Sequence, residues 1–86
     1  MTSTRIDPQL ASRLETDASH EFDLLIRVSR VDETVEHDFV VLGITIRRRL
    51  TLIPTYAVTC PGPTALELLN YPWVICIEED RIVYAH

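Results

Sequence analysis

Two short apolar runs constrain this chain more than any other feature. FDLLIRV, from Phe22 to Val28, and WVICIE, from Trp73 to Glu78, are rich in branched and apolar side chains and are bounded by polar stretches. Each falls far short of the roughly 20 apolar residues that a membrane-spanning helix requires. Runs of this length and composition read as buried strands. They are also apolar on more than one side. The first places Leu24, Ile26 and Val28 on one face and Leu25 on the other, and the second is apolar on both faces. A sheet covered by helices on one side alternates more cleanly than this. The surplus implies that the second face meets a partner, a homodimer being the simplest version.

The stretch between the two runs supplies the other elements. Asp32 caps a helix over 32–42, in which Val35, Phe39 and Leu42 recur on one side, and Gly43 stops it. From Ile44 the sequence ITIRRRLTLIP alternates. Ile44, Ile46, Leu50 and Leu52 are expected on one face, with Thr45, Arg47, Arg49 and Thr51 on the other. Pro54 breaks that ladder, and TYAVTC from Thr55 to Cys60 resumes it as the second arm of a hairpin. Pro63 sits where a first-turn proline is tolerated, ahead of a helix with Ala65, Leu66, Leu68 and Leu69 as its apolar side, which ends before Pro72. Strand, helix, strand, strand, helix, strand is the order of a ferredoxin-like α+β sandwich. In that fold a four-stranded antiparallel sheet carries two helices on one face, and the first strand lies between the third and fourth. At 86 residues the chain holds one domain. We divide it into an arm over 1–20, read as loose apart from a short docking turn at Leu10 and Leu14, a folded domain over 21–81, and an extended tail over 82–86.

Charge and residue chemistry narrow the function. The chain carries thirteen acidic and eight basic side chains, a net charge of -5, so it repels a phosphate backbone more than it attracts one. A sheet that reads RNA needs exposed aromatic and basic residues on its central strands, and the first strand offers only Arg27. Arg47, Arg48 and Arg49 could form a local basic patch, but on a strand they are expected to alternate faces, with at least two of them solvated. Cys60 and Cys76 lack metal-ligand spacing, and the topology puts a strand between them, so free thiols are expected and neither a metal nor another cofactor is implied. His20, His37 and His86 are scattered, and Gly43 and Gly62 are too far apart to cradle a phosphate. No nucleophile, base and orienting acid come together, so no catalytic residues are assigned and the chain is not read as an enzyme. No apolar stretch follows a basic start, so no secretory signal is visible and a cytoplasmic location is expected, or an extracellular one if the chain is cut from a longer precursor.

The C-terminal half carries a resemblance. From Gly43 through the hairpin, the helix around Ala65 and Leu68, and Pro72, into VICIEEDRIVYAH, the sequence resembles the second half of the propeptides of subtilisin-like serine proteases, the inhibitor family nine domain. The specific part is the ending: Val74, Ile77, the acidic trio Glu78, Glu79 and Asp80, then Ile82, Val83, Tyr84, Ala85 and His86. Residues 22–42 fit by element order alone. The resemblance implies a domain that lays its open sheet face on two surface helices of the protease, with Glu78 and Asp80 capping those helices. A helix N-terminus presents unpaired amide donors and partial positive charge, which a carboxylate complements. The resemblance also implies that residues 82–86 enter the protease cleft as an added strand. His86 would then take the first specificity subsite, Ala85 the second and Val83 the fourth, with Tyr84 pointing outward. With His86 read as the last residue, the bound tail is expected to resemble a retained product. The chain is accordingly expected to resemble the stand-alone members of the family, which act on a separate protease as inhibitors or folding helpers; a piece cut from a longer precursor would have the same ending. The competing reading is a ferredoxin-like regulatory module that pairs with a second copy across its open face.

Overall fold

The computed structural model describes residues 5–80. In chain order the elements are α1 (Pro8–Thr16), β1 (Glu21–Val28), α2 (Glu33–Leu42), β2 (Thr45–Leu50), β3 (Thr55–Pro61), α3 (Gly62–Glu67), a 3-10 turn at Leu68–Asn70, and β4 (Val74–Glu79). The sheet is antiparallel with strand order β2-β3-β1-β4, so β1 does lie between β3 and β4. This is a small α+β fold whose βαββαβ order is preceded by an additional helix.

The core lies on one side of the sheet. Phe22, Leu24, Ile26 and Val28 of β1 face the same way as Tyr56, Val58 and Cys60 of β3 and Val74 and Ile77 of β4, and all are buried. Val35 and Phe39 of α2 and Ala65 of α3, with Leu68 just beyond it, close over them from the helix side. Burying a side chain of this size contributes about 1.5–3 kcal/mol relative to leaving it exposed, which is why the two apolar runs become the inner strands. Phe39 is clasped edge-on by Tyr56 and Trp73, with ring centroids 5.0 and 5.3 Å away.

The caps of α2 follow from its sequence. The Asp32 carboxylate accepts from the Val35 amide at 3.0 Å, and that bond is the chief reason its acidity is strengthened. Gly43 closes the helix at φ 77, a left-handed conformation that a side chain would strain.

Residues 1–20 do not behave as a loose arm where they are described. Asp7 caps α1 by accepting from the amides of Gln9 and Leu10, Pro8 opens the first turn, and Leu10 and Leu14 are buried in the core. Ahead of the helix, Ile6 bridges in parallel to Ile77, covering part of the outer edge of β4. The Arg5 guanidinium donates to the carbonyls of Leu69, Tyr71 and Val74 at 2.8, 3.1 and 2.8 Å, satisfying the chain end of the 3-10 turn and the start of β4.

Strand β2 also departs from its expected pattern. Its pairing with β3 slips between Ile46 and Arg48, a β-bulge that sets two residues of β2 against one of β3. Past the bulge every side chain changes face. Ile46 keeps its inward place opposite Val58, but Arg49 now lies on the helix side opposite Tyr56, and Leu50 lies on the open side opposite Thr55. Leu52 falls in the hairpin turn, outside the strand, and is 99% exposed.

Candidate functional site

The helices leave the other face of the sheet open, and that face has an apolar end and a polar end. At the apolar end Leu25 of β1 and Leu50 of β2, brought to this side by the bulge, join Leu52 and Ile53 from the turn. With Arg27, Thr55 and Glu78 they line a shallow groove of about 290 Å³. Exposed apolar side chains gathered in one place are costly in water unless they meet a partner. Leu25 faces outward because β1 alternates and its neighbours Leu24 and Ile26 point into the core. Glu78 lies directly across from Leu25, and Cys76 across from Arg27, so both β4 side chains share the open face.

At the polar end the bulge has a second effect. It puts both Arg47 and Arg48 on the open side, where the sequence pattern predicted alternation. From the edge strand the Arg47 guanidinium reaches past β3, donating to the Val58 carbonyl at 3.1 Å and to Asp80 Oδ2 at 2.9 Å. Its Nε lies 3.8 Å from Asp23 Oδ1, too far to bond, and is buried without a hydrogen bond. Arg48 stands 3.8 Å from the same Asp80 oxygen. Arg49 binds Glu36 on the opposite face. At least two of these arginines were expected to be solvated, and all three stand within 4 Å of a carboxylate.

The residues singled out from sequence separate at this point. Glu78 is exposed beside the apolar groove, whereas the Asp80 side chain is 3% exposed and held by Arg47. The two carboxylates assigned to helix capping are not equivalent: Glu78 is open to solvent and the Asp80 side chain is not. Ile82, Val83, Tyr84, Ala85 and His86 lie outside the described residues.

Reactive groups are muted by their surroundings. Cys60 is buried on the core side, where desolvation pushes its thiol up to about 12, while Cys76 on the open face is raised chiefly by partial burial and then by Glu78. Both cysteines are free and sit on opposite faces with β1 between their strands. His20 packs edge-on against Phe22 at 4.7 Å and His37 is exposed. Among the described residues no group of three or more His, Cys, Asp or Glu is placed to hold a metal ion, and no helix is long and apolar enough to cross a membrane. Comparison with family models, curated proteins and solved structures finds no match to this chain.

Proposed function

We propose that this chain is a binding module directed at a subtilisin-like serine protease, acting as its inhibitor and as a helper of its folding. The observation that carries the reading is the apolar end of the open sheet face, where Leu25, Leu50, Leu52 and Ile53 are gathered beside an exposed Glu78. Such a face suits the packing of surface helices, and Glu78 at its rim is placed to meet a helix N-terminus. The sequence ending, EEDRIVYAH, supplies the second part: an extended segment after β4 that enters the protease cleft by strand addition. A partner that grips two helices of a large, slow-folding β-rich protease lowers the cost of bringing them together, which is the basis of the helper role.

The test is a titration of the protein into subtilisin with a chromogenic peptide substrate, repeated with residues 82–86 removed. Inhibition that depends on those residues supports the reading, and equal inhibition by the shortened chain refutes the tail mechanism. The rival role, a regulatory homodimer across the same face, is decided by sedimentation of the same sample. No inhibition together with a stable dimer selects it.

A further inference from the structure

The outer edge of β4 carries a site of another kind, apart from the open face and independent of the protease reading. Three main-chain carbonyls converge there: Leu69 from the 3-10 turn, Tyr71 just after it, and Val74 at the start of β4. The last carbonyls of a helical turn have no partner within the turn and carry partial negative charge. The Arg5 guanidinium answers all three. One terminal nitrogen donates to Leu69 at 2.8 Å, and the other donates to Tyr71 and Val74 at 3.1 and 2.8 Å. A lysine would bring one nitrogen to a place where arginine brings a planar fork.

The backbone beside this cradle pairs as a strand does. The Ile77 amide donates to the Arg5 carbonyl at 2.8 Å, and Ile6 bridges to Ile77 in parallel. Among the described residues that bridge is the only strand pairing on the outer edge of β4. Asp7 then caps α1, and Leu10 and Leu14 seat the helix in the core, so the hold of α1 on the domain does not rest on residues 5–6. We infer that the β4 edge and the carbonyl cradle form a binding site for an extended peptide in which an arginine precedes an aliphatic residue, and that Arg5 and Ile6 are its intramolecular ligand. A partner with that pattern adds to β4 by strand pairing and places its guanidinium among the same three carbonyls. In the intact chain the tethered segment is always at hand and keeps the site closed to weak competitors.

The test uses the full chain with Arg5→Gly and Ile6→Gly together, which empties the site and leaves Asp7 and α1 in place. The probe is a peptide of sequence STRID, blocked at both ends, which repeats residues 3–7, and STKID is its control. Hydrogen exchange at the Ile77 amide is the readout, with the amides of β1 and β3 reporting that the fold is kept. Loss of the bond to residue 5 should speed exchange at Ile77 about tenfold. Added STRID should slow it again, about tenfold at ten times the peptide's dissociation constant, and STKID at the same concentration should slow it less than about twofold. The unsubstituted chain should respond to neither peptide. Unchanged exchange at Ile77 in the doubly substituted chain, or no effect of STRID on it, overturns the proposal. Equal slowing by both peptides overturns the recognition of guanidinium. If the double substitution also removes protection in β1 and β3, Arg5→Lys decides: faster exchange confined to Ile77 supports the cradle, and unchanged exchange overturns it.

Discussion

The Tyr56 hydroxyl donates to Glu36 Oε2 at 2.8 Å, on the same carboxylate that Arg49 grips through two nitrogens at 2.7 and 2.8 Å. One side chain of α2 thus ties together β2 and β3, and it does so because the bulge turned Arg49 to the helix side. The Arg49 bond first, with help from the Tyr56 hydroxyl, holds the Glu36 carboxyl below its ordinary range, against the opposing effect of burial. A carboxyl whose acidity is strengthened in the folded state stabilises the fold above its unfolded pKa, and that contribution disappears as pH falls through the folded value. Urea titrations should show stability declining from about pH 4.5 downward. Glu36→Gln should lose about 1 kcal/mol at neutral pH and flatten the acid limb. An unchanged limb would show that the decline comes from other carboxyls.

Gly62 opens α3 where α3 meets α1, and a Cβ at this position would run into the backbone carbonyl of Leu14. The obstacle is main chain, which cannot swing aside as a side chain can. Gly62→Ala should therefore cost about 2–3 kcal/mol, in the range of overpacked cores. In a domain of this size that lowers the thermal midpoint by roughly 10 °C or more. Gly43→Ala tests a different cause, strain at φ 77 with open space around the Cβ, and should be relieved by Asn, whereas Gly62→Asn should be worse than Ala.

The strands and α2 are legible because their signals are local. Leu24, Ile26 and Val28 repeat every second residue, and Asp32 and Gly43 mark the two ends of one helix. The surplus of Leu25 likewise gives away an open face that is not wholly polar. The bulge in β2 is invisible to such a reading. It is a mismatch between two strands, and no count along one of them reveals that Arg47 and Arg48 will share a side. Helix α1 had a signal that was outweighed: Asp7 before Pro8, with Leu10 and Leu14 one turn apart, marks a capped start, but Pro8 in a polar stretch reads as a breaker. The contacts of Arg5 with Leu69, Tyr71 and Val74 join residues 64 to 69 positions apart, and nothing local couples them. The Arg47–Asp80 contact is hidden for both reasons, since it needs the bulge and spans 33 positions.

Leu52 and Ile53 project from the β2–β3 turn, and Leu52 touches so little of its own domain that 99% of it is exposed. Replacing it with Asp should leave the urea midpoint nearly unchanged, because surface substitutions away from caps and core shift stability by about 0.5 kcal/mol or less. Burial of a leucine against a partner is worth about 1.5–3 kcal/mol, so the same change should weaken protease inhibition roughly ten- to a hundredfold. Glu78→Gln should have a smaller effect that fades with added salt, as expected for a carboxylate at the rim of an interface. If Leu52→Asp binds as well as the unsubstituted chain, the docking face lies elsewhere on the sheet.

The two cysteines report on the two faces separately. Cys60 faces the core and its thiol is pushed up to about 12 by burial, so in the folded protein it should resist iodoacetamide even at mildly alkaline pH. Cys76 is only partly buried and lies on the open face, across from Arg27 and two residues before Glu78. Its thiol is raised as well, so alkylation should be slow and should accelerate with pH, yielding a single adduct by mass spectrometry until denaturant releases Cys60. A protease that packs on this face should slow the reaction further in proportion to the fraction bound, whereas one that touched only the C-terminal residues would leave the rate at Cys76 unchanged. The same measurement without protease, over a range of protein concentrations, separates the homodimer: protection that grows with concentration marks a second copy on the face, and a constant rate marks a monomer whose open face is free.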